Sequence, residues 1–141
     1  MVRLDLVRDK VRRLRSTLEL LRRCLPAESS ALSHPDLRDL VSFRVYLGMQ
    51  EAIDLASHVI ADEGWGPAPS LRDQFGILSD KGVLEASLAG RLASGVKVRN
   101  LIGHAYADID AGKLHAAAGE LATVLDAYCA AVLSFAESEL D

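Results

Sequence analysis

Residues 4–25 read Leu4-Asp5-Leu6-Val7-Arg8-Asp9-Lys10-Val11-Arg12-Arg13-Leu14-Arg15-Ser16-Thr17-Leu18-Glu19-Leu20-Leu21-Arg22-Arg23-Cys24-Leu25. Leu4, Val7, Val11, Leu14, Leu18, Leu21 and Leu25 recur at alternating spacings of three and four. That period is one face of an α-helix, and the seam it draws is narrow. Pro26 ends the pattern, because proline lacks the N–H a helix interior needs. Working outward, Ser33-His34-Pro35-Asp36 reads as a turn and helix start. The second helix is expected to run to about Asp62, with Leu40, Phe43, Leu47, Ile53, Ala56, Val59 and Ile60 as its apolar face. Glu63 to Pro69 is a loop by its Gly and Pro content. Ser70 is placed to cap a short helix reaching about Leu78. After a turn at Asp80-Lys81-Gly82, a fourth helix runs from Val83 through Leu84, Leu88, Leu92, Val96 and Leu101. Gly103 sits where that helix ends or bends, and Ala111-Gly112 breaks the chain again. Leu114, Ala118, Leu121, Leu125, Tyr128, Val132 and Phe135 mark the last helix. No alternating strand pattern and no repeat interrupts this order. The reading is all-α: an up-down bundle of four main helices plus a short one.

Composition agrees. A chain of 141 residues fits a single domain, residues 1–141. Half the residues are hydrophobic while 5% are aromatic, which favours a helical bundle over a β-sandwich. No uninterrupted apolar run reaches the roughly 18 residues that span a membrane. The arginine-crowded start lacks the apolar core of a signal peptide. Cys24 and Cys129 form no C-x-x-C pair. The expectation is a cytoplasmic protein with two structural thiols. His34, His58 and His115 match no metal-ligand spacing, so neither metal nor cofactor is expected.

The net charge of −4 speaks against simple nucleic-acid binding, but its distribution is uneven. Residues 1–23 hold eight Arg or Lys against three Asp or Glu, a net of +5. Residues 100–141 hold one Lys against seven acids, a net of −6. Two readings stand: solvated helix faces that attract each other, or a basic stripe that steers RNA or a partner protein. Trp65 either packs its glycine-rich loop down or meets a partner.

The chemistry concentrates in Arg99-Asn100-Leu101-Ile102-Gly103-His104-Ala105-Tyr106. Arginine carries a permanent charge in a fork that matches a phosphate. Histidine moves protons near neutral pH. On an ideal helix His104 lies about 140° round from Arg99, whereas Asn100 and His104 share a face. A distortion near Gly103, an arginine that curls back, or a second subunit facing the first each reconciles the pair. The spacing Arg-x4-His-x-Tyr resembles the signature of the HEPN ribonucleases, and in particular the HepT toxins of bacterial and archaeal toxin–antitoxin pairs. The likeness covers about residues 36–136. It includes Gln50-Glu51-Ala52-Ile53-Asp54-Leu55-Ala56-Ser57-His58, Pro69 to Phe75 with Leu78, Gly82-Val83-Leu84 and Asp108-Ile109-Asp110. Residues 1–35 match only as a generic first helix.

The resemblance implies a homodimer with its site at the subunit interface, which is the third of those arrangements. It implies a metal-independent endoribonuclease that cuts RNA, with Arg99 and His104 catalytic. His104 then serves as general base toward the 2′-hydroxyl or general acid toward the 5′-oxygen, and Arg99 stabilises the phosphorane. Asn100 either orients phosphate or histidine, or caps backbone groups near the helix end. Asp54 either braces Arg99, as acidic residues on this helix do in the family, or is a surface carboxylate near Arg44 or His58. Tyr106 matches the tyrosine to which an MntA-like minimal nucleotidyltransferase antitoxin attaches AMP, adding negative charge that repels RNA. The reading from a different class is a non-catalytic helical module that docks a nucleotidyltransferase or a nucleotide.

Overall fold

Local chemistry sets the helix boundaries in the computed structural model, which describes residues 1–105 and 109–140. Helix α1 spans Leu4–Cys24 and stops short of Pro26. A 3-10 turn at Ser29–Ser33, not foreseen from the sequence, leads to α2 at Pro35–Glu63. Pro35 occupies the first turn of α2, and the His34 ring accepts a hydrogen bond from the Asp36 N–H at 3.3 Å. Gly64, at φ +72°, closes α2 in the left-handed conformation that favours glycine. Helix α3 covers Leu71–Asp80 under its Ser70 cap, whose hydroxyl accepts from the Asp73 N–H at 3.3 Å. Helix α4 runs Ala86–Ala105 and α5 runs Ala111–Ser138. No strand occurs among the described residues.

Helix α1 packs on α2 and α5, and α4 lies against α2, α3 and α5. Three local expectations change. Leu40 (37% exposed) and Phe43 (59% exposed) lie outside the core, and Leu47 is half-buried. The core stripe of α2 instead runs through Val41, Val45, Met49, Ala52, Ala56 and Val59, because α2 has neighbours on several sides and 40, 43 and 47 fall between them. Val83 and Leu84 are buried in the turn before α4 rather than in its first turn, with the Val83 N–H donating to the Leu78 carbonyl at 2.9 Å. Ala111-Gly112 opens α5 rather than breaking the chain, because the Asp110 carboxylate accepts from the Lys113 N–H at 2.9 Å and caps the helix.

Tyr128 ties α5 to α2. Its ring is fully buried edge-on to Phe75, with centroids 5.6 Å apart, and its hydroxyl donates to the Ala52 carbonyl at 2.8 Å. By length and composition α5 is apolar enough to cross a membrane, yet its seam from Leu114 to Val132 is covered by the bundle. Burial pushes the Cys129 thiol up to about 12, which leaves it an inert packing group at neutral pH. Trp65 packs its loop down: its ring lies 5.8 Å from that of Phe135, with the Lys81 amine 5.8 Å above it. His115 Nε2 bonds the Pro26 carbonyl at 2.7 Å and seats the α1 exit on α5.

The uneven charges meet within the fold. Arg8 reaches Glu137 at 3.6 Å and Arg22 reaches Asp126 at 3.3 Å, joining α1 to α5. Arg3 pairs with Asp62 at 3.1 Å and Lys10 with Asp54, joining α1 to α2. Exposed pairs of this kind contribute little individually, and the face that α1 presents inward is its buried seam of Val7, Val11, Leu14, Leu18 and Leu21.

Candidate active site

Two helices build the site. Helix α4 carries Arg99, Asn100 and His104, and α2 supplies the surface against which Arg99 lies. Gly95 permits the close approach of α4: a Cβ there would stand 2.7 Å from Met49 Sδ and 2.8 Å from Leu121 Cδ2. Farther along, a Cβ on Gly103 would meet the Tyr46 ring at 3.3 Å. The helix runs two residues past Gly103 to Ala105, so this glycine does not end it. It lets the helix lie close to an aromatic ring.

The half-buried Arg99 guanidinium is held on several sides. Its Cζ lies 5.2 Å from the centre of the Tyr46 ring. Nη2 donates to Gln50 Oε1 at 2.8 Å, and Nη1 donates to Asn100 Oδ1 at 2.8 Å. Nε is buried without a hydrogen-bond partner. Every one of these groups is neutral, and none of the ion pairs among the described residues involves Arg99. The arginine therefore keeps its positive charge for an incoming anion.

His104 and Asn100 are exposed. No hydrogen bond joins Arg99 to His104 within the chain. The uninterrupted helix turns the two apart, as a five-residue separation dictates. Asn100 contacts Arg99 rather than a backbone cap. Asp54 does not brace Arg99 here: it is exposed, pairs with Lys10 and lies 3.9 Å from His58 Nε2. That is the surface-carboxylate reading, with Lys10 and His58 as the neighbours. The brace is Gln50, four residues earlier on α2. Tyr106 lies outside the described residues. Gln50 and Tyr46 were not recognised from sequence as site residues. Their i, i+4 spacing puts them on one face of α2, but only the packing of α4 shows that the face belongs to the site.

Beside the motif a groove of about 310 Å³ opens between α2 and α4, lined by Asp39, Ser42, Phe43, Tyr46, Ile102 and Gly103. Ser42 is 3% exposed and its hydroxyl has no partner. Leu101, 51% exposed, lies on the adjoining turn of α4.

The fold has solved counterparts. A toxin–antitoxin structure with AMP-PNP superposes at a TM-score of 0.85 with 17% identity, covering 92% of this chain and 98% of that one. The Shewanella oneidensis HEPN toxin, described as tri-AMPylated and in complex with an MNT antitoxin, gives 0.83 with 18% identity over 92% and 98%. The Bacillus subtilis cytosolic protein of unknown function YutE gives 0.84 with 17% identity over 99% and 94%. No curated protein matches in sequence. Residues 14–132, most of the chain, match the sequence profile of the family described as Ribonuclease HepT-like. With that match running from the second half of α1 through the Arg-x4-His helix and into α5, the chain belongs to the HepT-like ribonuclease family.

Proposed function

We propose that this protein is the toxin of a HepT/MntA-type pair, a cytoplasmic, metal-independent endoribonuclease acting as a homodimer. The observation that carries this reading is Arg99, whose charge is held in place by neutral groups five residues before an exposed histidine on the same helix. In the proposed reaction His104 takes the proton of an RNA 2′-hydroxyl. The 2′-oxygen forms a bond to phosphorus, and the bond from phosphorus to the 5′-oxygen breaks. The leaving oxygen takes a proton, giving a 2′,3′-cyclic phosphate and a 5′-hydroxyl. Arg99 stabilises the charge that grows on the phosphorane, the task a metal ion performs in other phosphoryl-transfer sites. Asn100 keeps Arg99 aimed through its carbonyl oxygen and turns its amide N–H toward the phosphate. DNA lacks the internal nucleophile and resists cleavage.

The dimer supplies what one chain lacks. Because Arg99 and His104 diverge, a second copy set against the same face brings its own motif across a shared cleft. Phe43 and Leu101 give that face the exposed apolar surface of an interface. Silencing is assigned to Tyr106, two residues after His104, where AMP added by a minimal nucleotidyltransferase partner places negative phosphates beside the site. The solved relatives described as AMPylated and antitoxin-bound support this assignment, and the one described as cytosolic supports the location.

The test is cleavage of total cellular RNA in EDTA by unmodified protein expressed without a partner, its intact mass checked for AMP. Wild type is expected to leave cyclic phosphate ends, and His104→Ala and Arg99→Ala to leave the RNA intact. An unmodified dimer that cuts neither tRNA nor mRNA would sink the nuclease reading for those substrates.

A further inference from the structure

We propose that Tyr46 and Gln50 are positioning residues which hold Arg99 at full charge for phosphate, an inference that rests on the nuclease reading above. They sit four residues apart on α2 and thus on one face. The Tyr46 ring offers its negative π-face to the guanidinium at 5.2 Å. Gln50 accepts from Nη2 at 2.8 Å through an amide oxygen. A carboxylate at position 50 would make a stronger bond in the same place, but it would also cancel the charge. Glutamine therefore separates two tasks that an acidic brace combines: it fixes the fork without neutralising it. Tyr46 does the same through its ring, because a ring face attracts a cation without forming an ion pair.

The arrangement also explains Gly103. A side chain there would press on the ring at 3.3 Å and shift the platform under Arg99. Neither Tyr46 nor Gln50 need touch the RNA. They act through the arginine, so their removal degrades a geometry rather than removing a reacting group. The orphaned Nε has the same origin. With both Nη groups engaged and the guanidinium lying by the ring, Nε is left buried without a partner.

Two readouts test this on the unmodified protein. One is the initial rate of cleavage of total cellular RNA in EDTA. The other is the NMR signal of the Arg99 guanidinium protons, which are separate and slowly exchanging when the fork is held. Wild type should show held signals. Gln50→Glu should retain them while its rate falls about ten- to a hundredfold, since order is kept and charge is cancelled. Gln50→Ala should lose both. Tyr46→Leu should slow cleavage about fivefold, with the rate restored by Tyr46→Phe, which keeps the ring face. A Gln50→Glu protein with the wild-type rate, or averaged Arg99 signals in the wild type, overturns the inference while leaving the nuclease reading intact. A wild type no more active than His104→Ala overturns the nuclease reading itself and removes any catalytic meaning from the held fork.

Discussion

Replacing Tyr128 by Phe isolates a single atom at the centre of the bundle. The ring stays, and with it the edge-on contact to Phe75 at 5.6 Å. What goes is the hydroxyl and its 2.8 Å bond to the Ala52 carbonyl. That carbonyl lies inside α2, where it still accepts a helical N–H, so it is not stranded by the change. The void left by one oxygen is smaller than a water molecule and adds little. The loss should therefore be that of one buried hydrogen bond, about 1 kcal/mol. Unfolding entropy near 2.1 cal/mol/K per residue, over 141 residues, amounts to about 0.3 kcal/mol/K. The midpoint should fall by about 3 °C. Thermal and urea denaturation of the two proteins at equal concentration measure it, and the urea slope should not change. A midpoint within about 1 °C of wild type, or a drop beyond about 8 °C, refutes the reasoning. The first would mean the bond contributes nothing net, and the second that the hydroxyl supports more than one contact.

Other outcomes follow from particular contacts. Phe43→Glu places a charge on the exposed apolar face and should shift the proposed dimer to monomer in sedimentation without lowering helix content, whereas a wild type that is already monomeric, or a variant dimer that is unchanged, would count against an interface at this face. Burial is the largest influence on Glu51 and raises its carboxyl above the ordinary value, against the hydrogen bond from Thr17. The folded state thus binds this proton more tightly than the unfolded state, and its contribution falls as pH rises from the ordinary to the raised value. Glu51→Gln should remove that decline in urea midpoints taken from about pH 4 to about pH 7, and a steeper decline in the variant would reverse the assigned sign. Gly95→Val should cost about 2–3 kcal/mol by urea denaturation, because even its Cβ meets Met49 and Leu121. Leu121→Ala in the same protein should return part of that loss, and strictly additive losses would count against the contact.

Much of the fold was legible because each seam obeys a helical period and each boundary has its own punctuation. The Ser70 cap, the turn at Gly82 and the stop before Pro26 all stand where local chemistry puts them. Leu40 and Phe43 show where such reading ends. Hydrophobicity marks a residue as worth burying, but not whether a partner within the same chain buries it. The site divides the same way. Arg99 and His104 stand out because their side chains announce phosphate and proton chemistry. Gln50 and Tyr46 have no such signature, and only the crossing of α4 over α2 brings them to the arginine. Asp54 shows the reverse: the sequence leaves it either a brace for Arg99 or a surface carboxylate, and in the chain it pairs with Lys10.

The pinch at Gly95 has a mechanical consequence. Helix α4 is gripped there between Met49 and Leu121, while His104 rides nine residues farther on. At 1.5 Å per residue that is a span of about 14 Å, seated again on α2 where Arg99 meets Gln50 and Gly103 lies against Tyr46. Tilting it by about 5° at the grip would swing its tip by about 1.2 Å, which under the proposed mechanism is a misplacement large enough to cost about a hundredfold in rate. Side chains at the fulcrum, remote from any phosphate, therefore set the aim of the histidine.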